Sequence, residues 1–200
     1  MARFNRRFQR MGSPILRRRF GRPFGVLPPL PPEMIRGMVQ AHRLFAIGQY
    51  SQSASLLENL ANTAHASGLP RAPRLFFQAA RANWHANQVA HGSDLLHVAL
   101  DLLAAAGALG IAVKITAMAT AELNSLGYKQ EADSLRDYVS KIPGWQEAAS
   151  IAPPEDKAKP VLPTHCTQCG AIVRPDDVDW IDEITAACAY CGSPIRPEKA

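Results

Sequence analysis

The chain has 200 residues, 47% of them apolar and 20% charged, a composition that folds rather than one that stays disordered. Its longest uncharged apolar run, residues 102–113 between Asp101 and Lys114, is too short to span a bilayer, and the N-terminus lacks the apolar region of a secretory signal, so neither a transmembrane helix nor secretion is expected. The net charge of +5 is unevenly spread: residues 1–32 carry eight arginines and no acid, residues 33–142 nine basic groups against eight acidic, and residues 143–200 five against nine.

Proline crowds residues 1–32, falls to Pro70 and Pro73 between 33 and 142, and returns from Pro143 onward. Proline removes a backbone donor and clashes inside a helix, so the gap is where long helices fit. The expected organisation is a flexible Arg/Pro-rich arm (1–32), a helical domain (33–142), a Pro-rich linker (143–164) and a small terminal module (165–200).

The basic groups of the arm are Arg3, Arg6, Arg7, Arg10, Arg17, Arg18, Arg19 and Arg22, interleaved with Phe4, Phe8, Phe20 and Phe24. Guanidinium groups with aromatic rings suit phosphates and unstacked bases, which makes nucleic acid one candidate partner. The same pattern suits an anionic membrane surface, a mitochondrial presequence or a solubilising tail. The stretch LPPLPP, residues 27–32, reads as an extended polyproline spacer.

From 33 to 142 the apolar spacing is helical. Met34, Met38, His42 and Phe45 form one stripe, Leu56, Leu57, Leu60 and Ala61 another, Leu95, Val98, Leu102 and Leu103 a third, and Leu135, Tyr138 and Val139 a last. Gly48, Gly92 and Gly127 punctuate the pattern, with further breaks at Gly68 and Gly107. Six helices are expected, roughly 33–47, 51–66, 73–90, 94–106, 109–126 and 129–141, in three antiparallel hairpins, with Ser93 or Asp94 capping the fourth.

Residues 44–61, LFAIGQYSQSASLLENLA, place a glycine, a tyrosine and small residues around a helix–helix turn, and residues 125–139 repeat the idea. In this the domain resembles the tetratricopeptide repeats, without that family's early tryptophan or closing proline. The resemblance implies a concave face built from the odd-numbered helices. On that face fall Arg36, Gln40 and Arg43 of the first helix, Arg74, Gln78, Arg81 and His85 of the third, and Lys114 of the fifth. A lightly basic face of this kind would take an acidic peptide. The plainer alternative is that these are solvated helix faces.

All four cysteines lie in the terminal module, as Cys166-x2-Cys169 and Cys188-x2-Cys191, each pair followed by a glycine. Two-residue spacers let a tight turn aim both thiolates at one ion, and glycine permits the positive φ that brings backbone amides back towards sulfur. Ile172, Val173, Val178, Trp180, Ile181 and Ile184 are the expected core, too little to fold alone, so the ion supplies the stability. The segment between the pairs reads as two short strands around a turn. This pattern resembles the zinc ribbons; a rubredoxin-like iron site is the rival, disfavoured by the short separation between the pairs. Four protein ligands leave no position for substrate, so one structural Zn2+ is expected. Asp176, Asp177, Asp179, Asp182 and Glu183 against Arg174 make the module a poor partner for phosphate and an available one for a basic surface, including the array's own concave face.

His91, Asp94, His97 and Asp101 lack the spacing of a metal motif, and no catalytic elbow, phosphate loop or dinucleotide fingerprint occurs. The expected protein is a mainly α, cytoplasmic, non-catalytic interaction scaffold: a tetratricopeptide-like array with a small β zinc ribbon, binding a protein or peptide. The alternative is a nucleic-acid-associated protein acting through its arm.

Overall fold

A computed structural model describes residues 30–150, 160–173, 178–180, 184–188 and 190–197. The arm and its eight arginines, much of the linker, and Arg174, Asp176, Asp177, Ile181, Asp182 and Glu183 lie outside the described residues.

The described chain is mainly helical: α1 Pro32–Ala46, α2 Tyr50–Ala66, α3 Ala72–His85, α4 Val89–Ala105, α5 Leu109–Ser125, α6 Lys129–Ser140 and α7 Trp145–Ser150. Each helix packs on the next through α6. Contacts of α3 with α5 and of α4 with α6 then stack the second and third hairpins, odd helix on odd and even on even. Alanines 41, 61, 79, 80, 82, 99, 112, 119 and 132 are wholly buried and let the backbones approach closely. The middle helix α3 is buried on nearly every side, from Ala72 and Leu75 to Trp84.

The hairpin period comes from the helix ends. Gly48, Gly68, Asn87, Gly107 and Gly127 adopt positive φ, at successive spacings of 20, 19, 20 and 20 residues. At Gly48 the amide donates to Phe45 O and the next amide to Leu44 O; Asn87 and Gly127 repeat both bonds with Trp84 and Asn83, and with Asn124 and Leu123. This is the Schellman closure, which satisfies carbonyls that a helix end otherwise leaves open. Equivalent turns at 48, 87 and 127 therefore give a hairpin period of 39 and then 40 residues, longer than the 34 of a tetratricopeptide repeat.

Three sequence expectations change here. The middle turn is at Asn87, not Gly92, so α3 ends at His85 and α4 begins at Val89, with no side-chain cap from Ser93 or Asp94. Gly92 lies inside α4, in the position of Ser53 in α2 and Ala132 in α6, five residues after each turn. A small residue is needed there because the paired helices touch: Ser53 Oγ donates to Ala41 O at 2.9 Å, and a Cβ on Gly92 would stand 2.8 Å from the equivalent Ala80 O. Finally, the segment after Pro143 is not all linker. Gly144 turns the chain at φ 79, and α7 packs on α5 and α6 with Trp145 against the core.

The terminal module holds a three-stranded antiparallel sheet among the described residues, β1 Asp179–Trp180, β2 Ala186–Ala187 and β3 Pro194–Ile195, in the order β1-β2-β3. Ala186 pairs with Ile195 and Ala187 with Pro194. The third strand was not expected. Nor was the composition of the small core: Val173 and Val178 are buried as expected, whereas Ile172 and Ile184 are 56% and 58% exposed, and Leu162, Tyr190 and Ile195 fill the interior instead.

Candidate metal centre

Each cysteine pair sits on a short loop of the same construction. Cys166 N donates to Ala171 O and Gly170 N to Cys166 O, both at 2.8 Å; Cys188 N donates to Ser193 O and Gly192 N to Cys188 O, both at 2.9 Å. Gly170 and Gly192 stand at φ 70 and 78, the left-handed turn that closes each loop and that a side chain would strain. A bridge between His165 and Ile172 flanks the first loop as the Ala187–Pro194 pair flanks the second.

The two loops bring their sulfurs together. All four Sγ atoms lie within 4.8 Å of one another, with Cys166–Cys191 at 3.7 Å and Cys169–Cys188 at 3.8 Å. No pair is bonded as a disulfide. A divalent ion with metal–sulfur bonds of about 2.3 Å in a regular tetrahedron needs sulfur–sulfur edges of about 3.8 Å. The four thiols therefore fit one tetrahedral ion, as a zinc site would require. They are at most 3% exposed, which shields the centre from water.

Thiol hydrogen bonds divide the four sulfurs unequally. Those from Cys169 and then Cys188 push Cys166 down to about 6, and those from Cys166, Cys169 and Cys188 push Cys191 lower still. The same network, led by Cys166, pushes Cys169 and Cys188 up. An ion bound by the four sulfurs displaces the thiol protons.

The cysteine loops rest on the helical array. One apolar core runs without a break from the helices into Cys166, Cys169, Tyr190 and Cys191. His42 of α1 meets Cys169 O through Nδ1 at 3.4 Å, and a carbonyl only accepts, so the ring carries its proton on that nitrogen. Burial pushes the His42 pKa below its ordinary value, which keeps the ring neutral. The His42 and Tyr190 rings pack in a T-shaped arrangement, with centroids 5.3 Å apart. Arg71, at the start of α3 and 1% exposed, donates from Nη1 to Cys188 O at 3.3 Å.

The residues expected on the concave face occupy three environments. Arg36, Gln40, Arg43 and Lys114 are exposed and Arg74 is half-buried. Gln78 is buried, at 8% exposure. Arg81 Nε and His85 Nε2 converge on Glu122 of α5, at 2.5 and 2.9 Å, tying the second hairpin to the third. His91, Asp94, His97 and Asp101 do not converge either. His91 pairs with Glu58 at 2.9 Å, while His97 stacks on Tyr138, whose hydroxyl donates to Asp101. An open groove of about 570 Å³ between α5, α6 and α7 is lined by Thr116, Thr120, Asn124, Val139 and Trp145 among others.

The docking residues were the part the sequence reading missed. His42 falls on the apolar stripe of α1, the one local signal that it faces inward; Arg71, between two prolines, gives none. No described helix is long and apolar enough to cross a membrane. Comparison of the chain with family models, with curated proteins and with solved structures finds no match.

Proposed function

We propose that this chain is a non-catalytic interaction scaffold, in which a tetratricopeptide-like array of helical hairpins carries a structural zinc ribbon and binds a protein or peptide segment. The observation that carries the reading is the way the array holds its own terminal module. His42 and Arg71 approach main-chain carbonyls of the two cysteine loops, at Cys169 and Cys188, while Tyr190 packs T-shaped against the histidine ring. Helix faces that recognise one folded segment through carbonyls and an aromatic ring are suited to others. The exposed Arg36, Gln40, Arg43 and Lys114 favour an acidic partner. Zinc with four cysteine ligands has no open position, so its contribution is to fold the ribbon rather than to turn over substrate. Four thiolates persist in a reducing compartment, which supports a cytoplasmic setting.

A second reading rests on the arm, whose eight arginines and four phenylalanines suit RNA or DNA. One experiment separates the two. Binding of acidic peptides, single-stranded RNA and duplex DNA is measured from about 50 to 200 mM salt, with the full chain and with residues 1–26 removed. The scaffold reading expects peptide binding with a shallow salt slope that survives loss of the arm. Micromolar nucleic-acid binding that collapses with salt and vanishes without the arm, with no peptide binding, would replace it.

A further inference from the structure

We propose that Arg71 is the counter-ion of the metal centre: the helical array delivers a buried guanidinium to the second cysteine loop, so that metal loading and docking of the module are one coupled equilibrium. The inference rests on reading the four cysteines as a zinc site, which zinc stoichiometry of the unaltered chain checks separately.

A divalent ion held by four thiolates carries a net charge of −2, and the four cysteines are buried. A buried charge is tolerated only when paired. Arg71 brings a positive charge equally removed from water, from a part of the chain 117 residues away from Cys188. Its position is specific: Nη1 donates to the carbonyl of the ligand Cys188, and the rest of the guanidinium lies on Gly192, directly after the ligand Cys191.

The two loops, otherwise alike, differ at this point. A Cβ on Gly170 would meet nothing within 4 Å, whereas one on Gly192 would fall 1.6 Å from Arg71 Nη2 and 2.0 Å from Cζ. Both glycines serve the turn, but only Gly192 also leaves room for the guanidinium. His42 holds the first loop through Cys169 O, while the guanidinium meets the second. Arg71 is thus a positioning residue: it binds the metal centre from outside the ligand set and joins it to α3.

The test uses the full chain, with zinc affinity measured by chelator competition and docking by hydrogen exchange in α1 and the first turns of α3. Removing zinc from the unaltered chain should raise exchange in residues 34–45 and 72–77 while α5 and α6 stay protected. Arg71→Met should weaken zinc binding about 10- to 100-fold, the usual range for a residue supporting metal ligands, and Arg71→Lys should recover most of it. Should Arg71→Met fail to fold, two glycine variants make the comparison from the other side. Gly170→Ala strains its loop in open space, while Gly192→Ala strains its loop equally and displaces the guanidinium, so it should lose more zinc affinity and release the module. Equal losses for the two glycines, an Arg71→Met chain that holds zinc like its parent, or exchange in α1 and α3 indifferent to zinc would each overturn the proposal.

Discussion

Gly92 and Trp84 are in closer contact than any side chain would permit: a Cβ on the glycine would lie 2.6 Å from both Cδ1 and Nε1 of the wholly buried indole. The turn of this hairpin is made elsewhere, so the glycine is present for packing alone. Gly92→Ala should therefore destabilise the chain by about 1–3 kcal/mol, the cost of overpacking a closed interior. Gly110, near the start of α5, has open space at its Cβ position and ordinary φ. Gly110→Ala should stabilise by about 0.5–1 kcal/mol. Denaturant midpoints of the two variants should shift in opposite directions; a shared direction would mean that the Gly92 contact carries no weight.

Asn87 performs two tasks at its turn, where glycine performs only the first at the others. It adopts φ 61, and its Oδ1 accepts from Tyr128 OH at 2.8 Å, linking the second hairpin to the third. Asn87→Ala loses both and should cost about 1–2 kcal/mol, chiefly from the left-handed backbone. Asn87→Gly keeps the backbone and loses the hydrogen bond, so it should cost less. Thermal unfolding of the pair ranks them, and an alanine variant as stable as the glycine variant would contradict this assignment.

Glu122 accepts from both Arg81 and His85 with little exposure, so its loss leaves a cation in a partly buried place. Glu122→Ala should destabilise by about 1–3 kcal/mol. Combined with Arg81→Ala, the cost should be less than the sum of the two single effects, because both substitutions remove the same ion pair. Additive effects would show that the tie contributes nothing.

His97 and Tyr138 give stability two pH dependences. Burial, against the opposing pull of Asp94 and Asp101, lowers the His97 pKa from 6.5. The unfolded chain then binds more protons below pH 6.5, so this contribution is present above that value and is lost as pH falls towards the lowered pKa. Burial first, and then the hydrogen bond to Asp101, raises Tyr138 to about 12. The folded chain holds that proton longer, so stability is lost as pH rises from the unfolded value of 10 towards 12. Proton NMR of the His97 ring and ultraviolet titration of Tyr138, with Tyr138→Phe as reference, check both. A histidine midpoint above 6.5 or a tyrosine ionising at its ordinary pKa would remove the corresponding effect.

What could be read in advance was whatever is local. The ligand spacing of Cys166, Cys169, Cys188 and Cys191 is set within two tight turns, so sequence alone was enough to group them, and the structure brings the four sulfurs to one point. Helix periodicity is local too: α1, α2, α5 and α6 lie within one residue of their expected bounds, while the end of α3 and the start of α4 differ by five. The middle hairpin was misregistered because two roles of glycine look alike in a sequence. Gly92 serves packing, while the turn at 87 is made by asparagine, the side chain that best tolerates positive φ after glycine. The docking of the cysteine loops on His42 and Arg71 joins residues more than a hundred positions apart, and no periodicity or spacing registers such a contact.

The claim on which most of this account rests is that the four cysteines form one zinc centre. Native mass spectrometry of the full chain, purified without added metal and then exposed to an alkylating reagent, tests it directly. One zinc ion per chain is expected, with four cysteines protected from alkylation while it is bound and four modified after chelation. Iron in its place, or a metal-free chain whose cysteines react freely or pair as disulfides, would contradict it.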